Sequence, residues 1–163
     1  MVRLGALDQV NVHNIDIRRA TELDQSAIRA LVLGERLNPS GLRWPNFLVA
    51  ATENGIVGTV QMREHTDGSR ELGSLVVSQA FRGQGVAARL IETILASERS
   101  PVWVITPEDS TERYLRWGFR LIEPESAPVK VRRNHRIGSF VRLFSLLTSR
   151  PVARLVILER VPR

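Results

Sequence analysis

The sequence predicts an α/β protein of the α+β type: a mixed, mostly antiparallel sheet of about seven strands with helices on both faces. Three observations predict it. Short β-branched apolar runs alternate with turn residues from Ile15 to Val77, the pattern of an antiparallel meander. A helix-period segment, Val86 to Ser97, then leads into the short apolar run Val102 to Thr106, so the strands on either side of that helix run parallel. With 163 residues, 43% hydrophobic and 25% charged, the chain suits one domain spanning 1–163 around one core.

Each element has a local reason. Residues 1–11 form an expected flexible lead-in. Ile15-Asp16-Ile17-Arg18 alternates as a strand does, within a strand expected from Val12 to Arg19. Thr21 can cap the next helix, with Glu22 and Asp24 in its first turn and Leu23, Ala27, Ile28, Leu31 and Val32 as its buried stripe. Gly34 is its stop, and Asn38 to Gly41 and Trp44 to Asn46 punctuate a loop. Asn54-Gly55 joins the strands Phe47–Thr52 and Ile56–Arg63 as a hairpin, because both residues tolerate positive φ. Thr66 to Ser69 turns the chain into a strand from Arg70 to Val77. Gly73 within it marks either a bulge or a close packing contact. Asp109 with Glu112 can open a helix ending at Gly118, before a strand from Phe119 to Ile122. A final helix is expected over His135 to Leu147, with the stripe Ile137, Phe140, Val141, Phe144 and Leu147. Pro151 stops it, and the last strand falls within Val152 to Val161.

Composition narrows the chemistry. There is no cysteine, so disulfides, thiolate nucleophiles and cysteine-ligated metals are excluded, and no metal is expected. No stretch approaches the ~20 apolar residues of a membrane span, and the opening residues do not read as a signal peptide. A cytoplasmic location is the plain expectation. The net charge of +6 is uneven. From Lys130 onward there are nine Lys/Arg and one acidic residue, whereas Met1 to Val129 carries fourteen basic and sixteen acidic residues.

The stretch Leu75-Val76-Val77, then Arg82-Gly83-Gln84-Gly85-Val86-Ala87, organises the chain. It reads as a strand, a turn with two glycines and a helix N-terminus. Unpaired N–H groups and the positive end of the helix dipole attract anions there. A nucleoside-triphosphatase loop needs Lys-Ser/Thr after its last glycine, and Val86-Ala87 follows instead. A dinucleotide loop fits the spacing Gly83-x-Gly85-x-x-Ala88. However, it needs a shorter lead-in and an acidic residue at the end of the next strand, where Thr106 stands.

Arg82-x-x-Gly85-x-Ala87 resembles the R/Q-x-x-G-x-G/A signature of the GNAT superfamily of acyl-coenzyme A-dependent N-acetyltransferases. Tyr114-Leu115-Arg116-Trp117-Gly118-Phe119 is similar to that family's second signature. The resemblance covers Ile15 to Phe119 and implies a sheet splayed between its fourth and fifth strands. It also implies acetyl-CoA as cosubstrate. The diphosphate would lie on the amides of Arg82, Gly83, Gln84, Gly85, Val86 and Ala87, with added charge from Arg82. The pantetheine would lie along the freed backbone of Leu75, Val76 and Val77.

Tyr114 corresponds to the tyrosine that many members use as general acid. Candidates for the base are Glu71, on the fourth strand, and His65 at the end of the third. Partial burial is expected to raise the pKa of Glu71, and imidazole ordinarily titrates near neutrality. The asparagine many members carry after the fifth strand is missing, with Thr106 or Ser110 as stand-ins.

The implied activity is acetyl transfer to a primary amine of a small molecule or peptide by direct attack. A non-catalytic acyl-CoA sensor is the alternative. The basic helical segment 130–150 adds a third reading, an accessory protein on nucleic acid or an anionic membrane surface. Homodimerisation is left open.

Overall fold

The computed structural model describes residues 14–145 and 153–162. The expected lead-in therefore lies outside the described residues, as does the chain around Pro151.

Seven strands form one sheet: β1 (Asp16–Arg19), β2 (Phe47–Thr52), β3 (Gly55–Glu64), β4 (Arg70–Val77), β5 (Val102–Pro107), β6 (Arg120–Ile122) and β7 (Leu155–Arg160). Their order is β1-β2-β3-β4-β5-β7-β6. Every pairing is antiparallel except β4 with β5. The helices are α1 (Gln25–Gly34), α2 (Val86–Ala96), α3 (Glu112–Leu115) and α4 (Val129–Ser145).

Alternation along the strands splits the core between two faces. On one face, α2 buries Val86, Leu90, Ile91, Ile94 and Leu95 against Val60, Met62, Leu72, Val102, Val104 and Leu158. Tyr114 and Phe119 extend that layer. On the other, α1 seats Ile28 and Val32 on Phe47, Val49 and Val76. Farther along, Val131 of α4 packs with Ile157, Trp103 and Ile105. Each fully buried Leu, Ile or Val contributes roughly 1.5–3 kcal/mol.

Three expectations need correction. Leu23 is 92% exposed rather than part of a buried stripe. Residues Glu22–Asp24 form a 3₁₀ turn whose rotation turns Asp24 inward, where it binds Arg18 and the amide of Thr21. The helix before Gly118 is a single turn, Glu112–Leu115, preceded by a 3₁₀ turn over Glu108–Ser110. The last helix begins at Val129, not His135, and its expected stripe is not its inner face. Ile137, Phe140 and Val141 are more than half exposed, while Val131 is fully buried and Gly138 packs on Leu155. Phe144 and Leu147 lie outside the described side chains.

Candidate active site

The site opens where β4 and β5 part. They pair only through Arg70–Val102, Glu71–Trp103 and Leu72–Val104, yet β4 runs on to Val77 and β5 to Pro107. On its other edge β4 carries a bulge. Thr59 faces Val76 and Gln61 faces Gly73, so β4 holds one extra residue. Ser74 takes that irregular position with φ 49°. Gly73 fulfils both expectations at once, because a Cβ there would meet Arg63 Nη1 at 2.7 Å.

Backbone geometry at the far end of β4 shows which groups face the gap. The amide of Ser78 donates to Val57 O on β3. The carbonyl in the same peptide unit, that of Val77, therefore points away from β3. Arg82 Nε donates to it at 2.8 Å, and Nη2 of the same guanidinium pairs with Glu35 at the end of α1. Arg82 is thus engaged at the mouth of the gap rather than extended over the glycine turn.

In the turn itself, Gly83 and Gly85 are solvent-exposed at φ 75° and 78°. Nothing lies within 4 Å of where either Cβ would stand. Gly85 is the residue before α2, so the first-turn amides beyond it have no partner inside the helix and face an open approach. Gln84 folds back to donate to Ala80 O at 3.0 Å. Val86 is buried and Ala87 half-buried, while Leu75 and Val77 pack against the α2-side core and Val76 against the α1-side core.

Tyr114 lies on the α2 face, buried, edge-on to Trp117 and Phe119 at ring separations of 6.2 and 5.7 Å. Burial pushes its phenol pKa up, with the charge of Arg113 and the Thr106 side chain pulling the other way. Thr106 is 4% exposed at the end of β5. Of the two stand-ins for the missing asparagine it is Thr106 that reaches the tyrosine, whereas Ser110 bonds Asp109 and Arg113.

On the opposite face, Glu71 and His65 come together. Glu71 Oε1 accepts from Arg63 Nη1 at 2.9 Å, and Oε2 lies 2.9 Å from His65 Nε2 and 3.0 Å from Asn134 Nδ2. The pKa expectation for Glu71 is reversed. Burial pushes it up, but the His65 hydrogen bond, the Arg63 charge and the Asn134 amide outweigh burial and hold it below the usual carboxylate range. The network continues across the bulge: Arg63 Nη2 bonds Ser74 Oγ, Ser74 Oγ bonds Gln61 Oε1, and Gln61 Nε2 bonds Gly41 O in the loop after α1.

Arg63, Gln61, Ser74 and Asn134 join this network without belonging to any motif of the sequence. Part of the signal was present, since Thr59, Gln61 and Arg63 alternate with Val60 and Met62 in one strand. Asn134 had none, because only α4 packing carries it there. Two anchors hold the start of α4: Asp67 Oδ2 accepts from the Lys130 amide at 3.0 Å, and the His135 ring lies 2.9 Å from Leu155 O. A surface groove lined by Arg18, Met62, Thr93 and Glu98 lies at the other end of α2, away from the glycine turn.

Comparison with known proteins agrees with this geometry. Residues 43–121 match the family model for the acetyltransferase (GNAT) domain. No curated protein matches the sequence. Among solved structures, the N-acetylglutamate synthase of Neisseria gonorrhoeae, complexed with coenzyme A and N-acetyl-glutamate, is similar with a TM-score of 0.72 at 20% identity over 91% of this chain. This chain spans only 35% of that one. Rv2747 of Mycobacterium tuberculosis, solved with CoA, gives 0.66 at 20% identity over 91% of this chain and 99% of its own. A GNAT-family acetyltransferase of Staphylococcus aureus Mu50 gives 0.63 at 14% identity, covering 90% and 98%. Residues 43–121 thus match the acetyltransferase (GNAT) domain, and the chain shares the fold of these solved structures.

Proposed function

We propose that this protein transfers an acetyl group from acetyl-coenzyme A to a primary amine of a small molecule or peptide, by direct attack in a ternary complex. The parting of β4 from β5 after Leu72, beside an open glycine turn at the start of α2, is the observation that carries this reading. The residues present fit the cosubstrate. The amides from Gly83 to Ala87 would hold a diphosphate, and the edge of β4 from Leu75 to Val77 would take a pantetheine as a neighbouring strand is taken. The bound thioester supplies the activated acetyl group.

The chain's own groups supply the proton transfers. Tyr114 stays protonated at neutral pH, since burial raises its pKa, and it donates to the departing thiolate. Glu71 and His65 sit on the opposite face of the sheet and supply the proton acceptor. The excess of basic residues from Lys130 onward favours an amine that also carries a carboxylate. The N-acetyl-glutamate bound by the Neisseria neighbour points to the same class.

Calorimetric titration with acetyl-CoA is expected to show binding, and thiol release across a panel of amines to show turnover. Binding without turnover on any amine would indicate an acyl-CoA sensor; no binding would overturn the reading. Tyr114→Phe is expected to lower kcat about 100-fold while leaving the acetyl-CoA Kd unchanged. An unchanged kcat would remove Tyr114 as the acid.

A further inference from the structure

Glu71 is a poor candidate for the proton acceptor by itself. It is 3% exposed, and both of its oxygens are engaged by Arg63, His65 and Asn134. His65 is the more open member of the pair, its side chain 15% exposed against 5% for that of Glu71. A carboxylate has no proton to offer, so the 2.9 Å contact places the ring hydrogen on Nε2 and leaves the lone pair on Nδ1. We propose that His65 is the proton acceptor for the incoming amine, that Glu71 orients it, and that Asn134 of α4 is a positioning residue holding Glu71 against Nε2. The assignment rests on the acetyl-transfer reading above.

Three observations carry it. Asn134 and His65 share one oxygen of Glu71 while Arg63 holds the other, so the carboxylate cannot rotate away from the ring without losing a bond. Asn134 arrives on a helix whose start is itself fastened to the turn after His65, through Asp67 and the Lys130 amide. Charged groups around the imidazole include Glu71 from β4, Arg63 from β3 through that shared carboxylate, and Asp67 from the turn, and the neutral amide of Asn134 on α4 reaches the same carboxylate.

The proton balance closes. The bulge at Ser74 lies about 10 Å along β4 from Glu71, so the transfer runs through water. The ammonium form of the acceptor gives one proton by that route to Nδ1 and becomes a neutral amine. Its nitrogen forms the new C–N bond as the C–S bond breaks. Tyr114 gives its proton to the thiolate, and the surplus proton on nitrogen restores the phenol. His65 then releases its proton to solvent.

The test has two arms. Long-range ¹⁵N NMR of the ligand-free protein reads the tautomer directly: the Nε2-protonated form is expected at His65, and a dominant Nδ1-protonated form overturns the proposal. In the kinetic arm, His65→Gln is expected to lower kcat about 100-fold and abolish the acid limb of the kcat/KM profile, with unchanged acetyl-CoA Kd. Asn134→Ala is expected to lower kcat about tenfold, shift that limb and leave the KM for acetyl-CoA unchanged. Wild-type kcat and an intact acid limb in His65→Gln sink this proposal alone. A wild type that binds no acetyl-CoA sinks the transfer reading with it. Circular dichroism confirms that each variant is folded, and the NMR arm needs no variant.

Discussion

Gly73 is the residue on which the polar network depends. A methyl group there would stand 2.7 Å from Arg63 Nη1, the nitrogen that binds Glu71. Gly73→Ala is therefore expected to displace the guanidinium and cost about 1–3 kcal/mol, through a buried carboxylate left short of a partner. A urea melt checks it; an unchanged midpoint would mean that Arg63 moves aside freely. Asp24 makes a different prediction. The Arg18 hydrogen bond leads in holding its carboxyl at about 2, with the Thr21 amide assisting. The folded-state value lies below the unfolded one, so its stabilisation is present above the ordinary carboxylate pKa near 4 and is lost as pH falls toward about 2. Asp24→Asn is expected to flatten the loss of stability in that window, as read by denaturant midpoints at pH 5 and pH 2.5. An identical pH slope would rule the carboxyl out as a source of acid sensitivity.

At the scale of elements, the turn into α2 works through conformation rather than volume. The Cβ position at Gly85 is empty, but φ is 78°, where a β-branched side chain is strained by roughly 1–2 kcal/mol. Gly85→Val is expected to weaken acetyl-CoA binding about tenfold, measured by calorimetry, with little change in the far-UV spectrum. Unaltered affinity would show that this turn does not hold a diphosphate. Local pattern predicted α2 closely, since its apolar period, its glycine start and its burial all agree. It failed at α4, where Ile137, Phe140 and Val141 read as an inner stripe. There the inner positions are Val131 and the small Gly138, which lets the helix approach Leu155, together with Asn134 and His135, whose value lies in hydrogen bonds. Apolar periodicity cannot register a helix face chosen partly by polar partners.

For the whole molecule, the sheet is continuous on the side of β3 and open on the side of β5. In hydrogen exchange, the amides of Leu75 and Val77 are expected to exchange faster than that of Leu72 in the free protein. Adding acetyl-CoA is expected to slow them. Equal protection at Leu72 and Val77 before ligand is added would argue against an open gap. What the sequence by itself determined is local: the strand runs, the hairpin at Asn54-Gly55, the parallel crossover through α2 and the glycine turn, each set by side-chain period or by residues that tolerate positive φ. Tyr114, Glu71 and His65 were legible as separate candidates by residue type and motif spacing. Only the tertiary structure decided that Glu71 and His65 share a hydrogen bond, that Arg63 and Asn134 complete it, and that Arg82 turns to Glu35. Those contacts join residues 6 to 63 positions apart. Their energies depend on distance and burial, quantities that exist only once the chain has closed on itself.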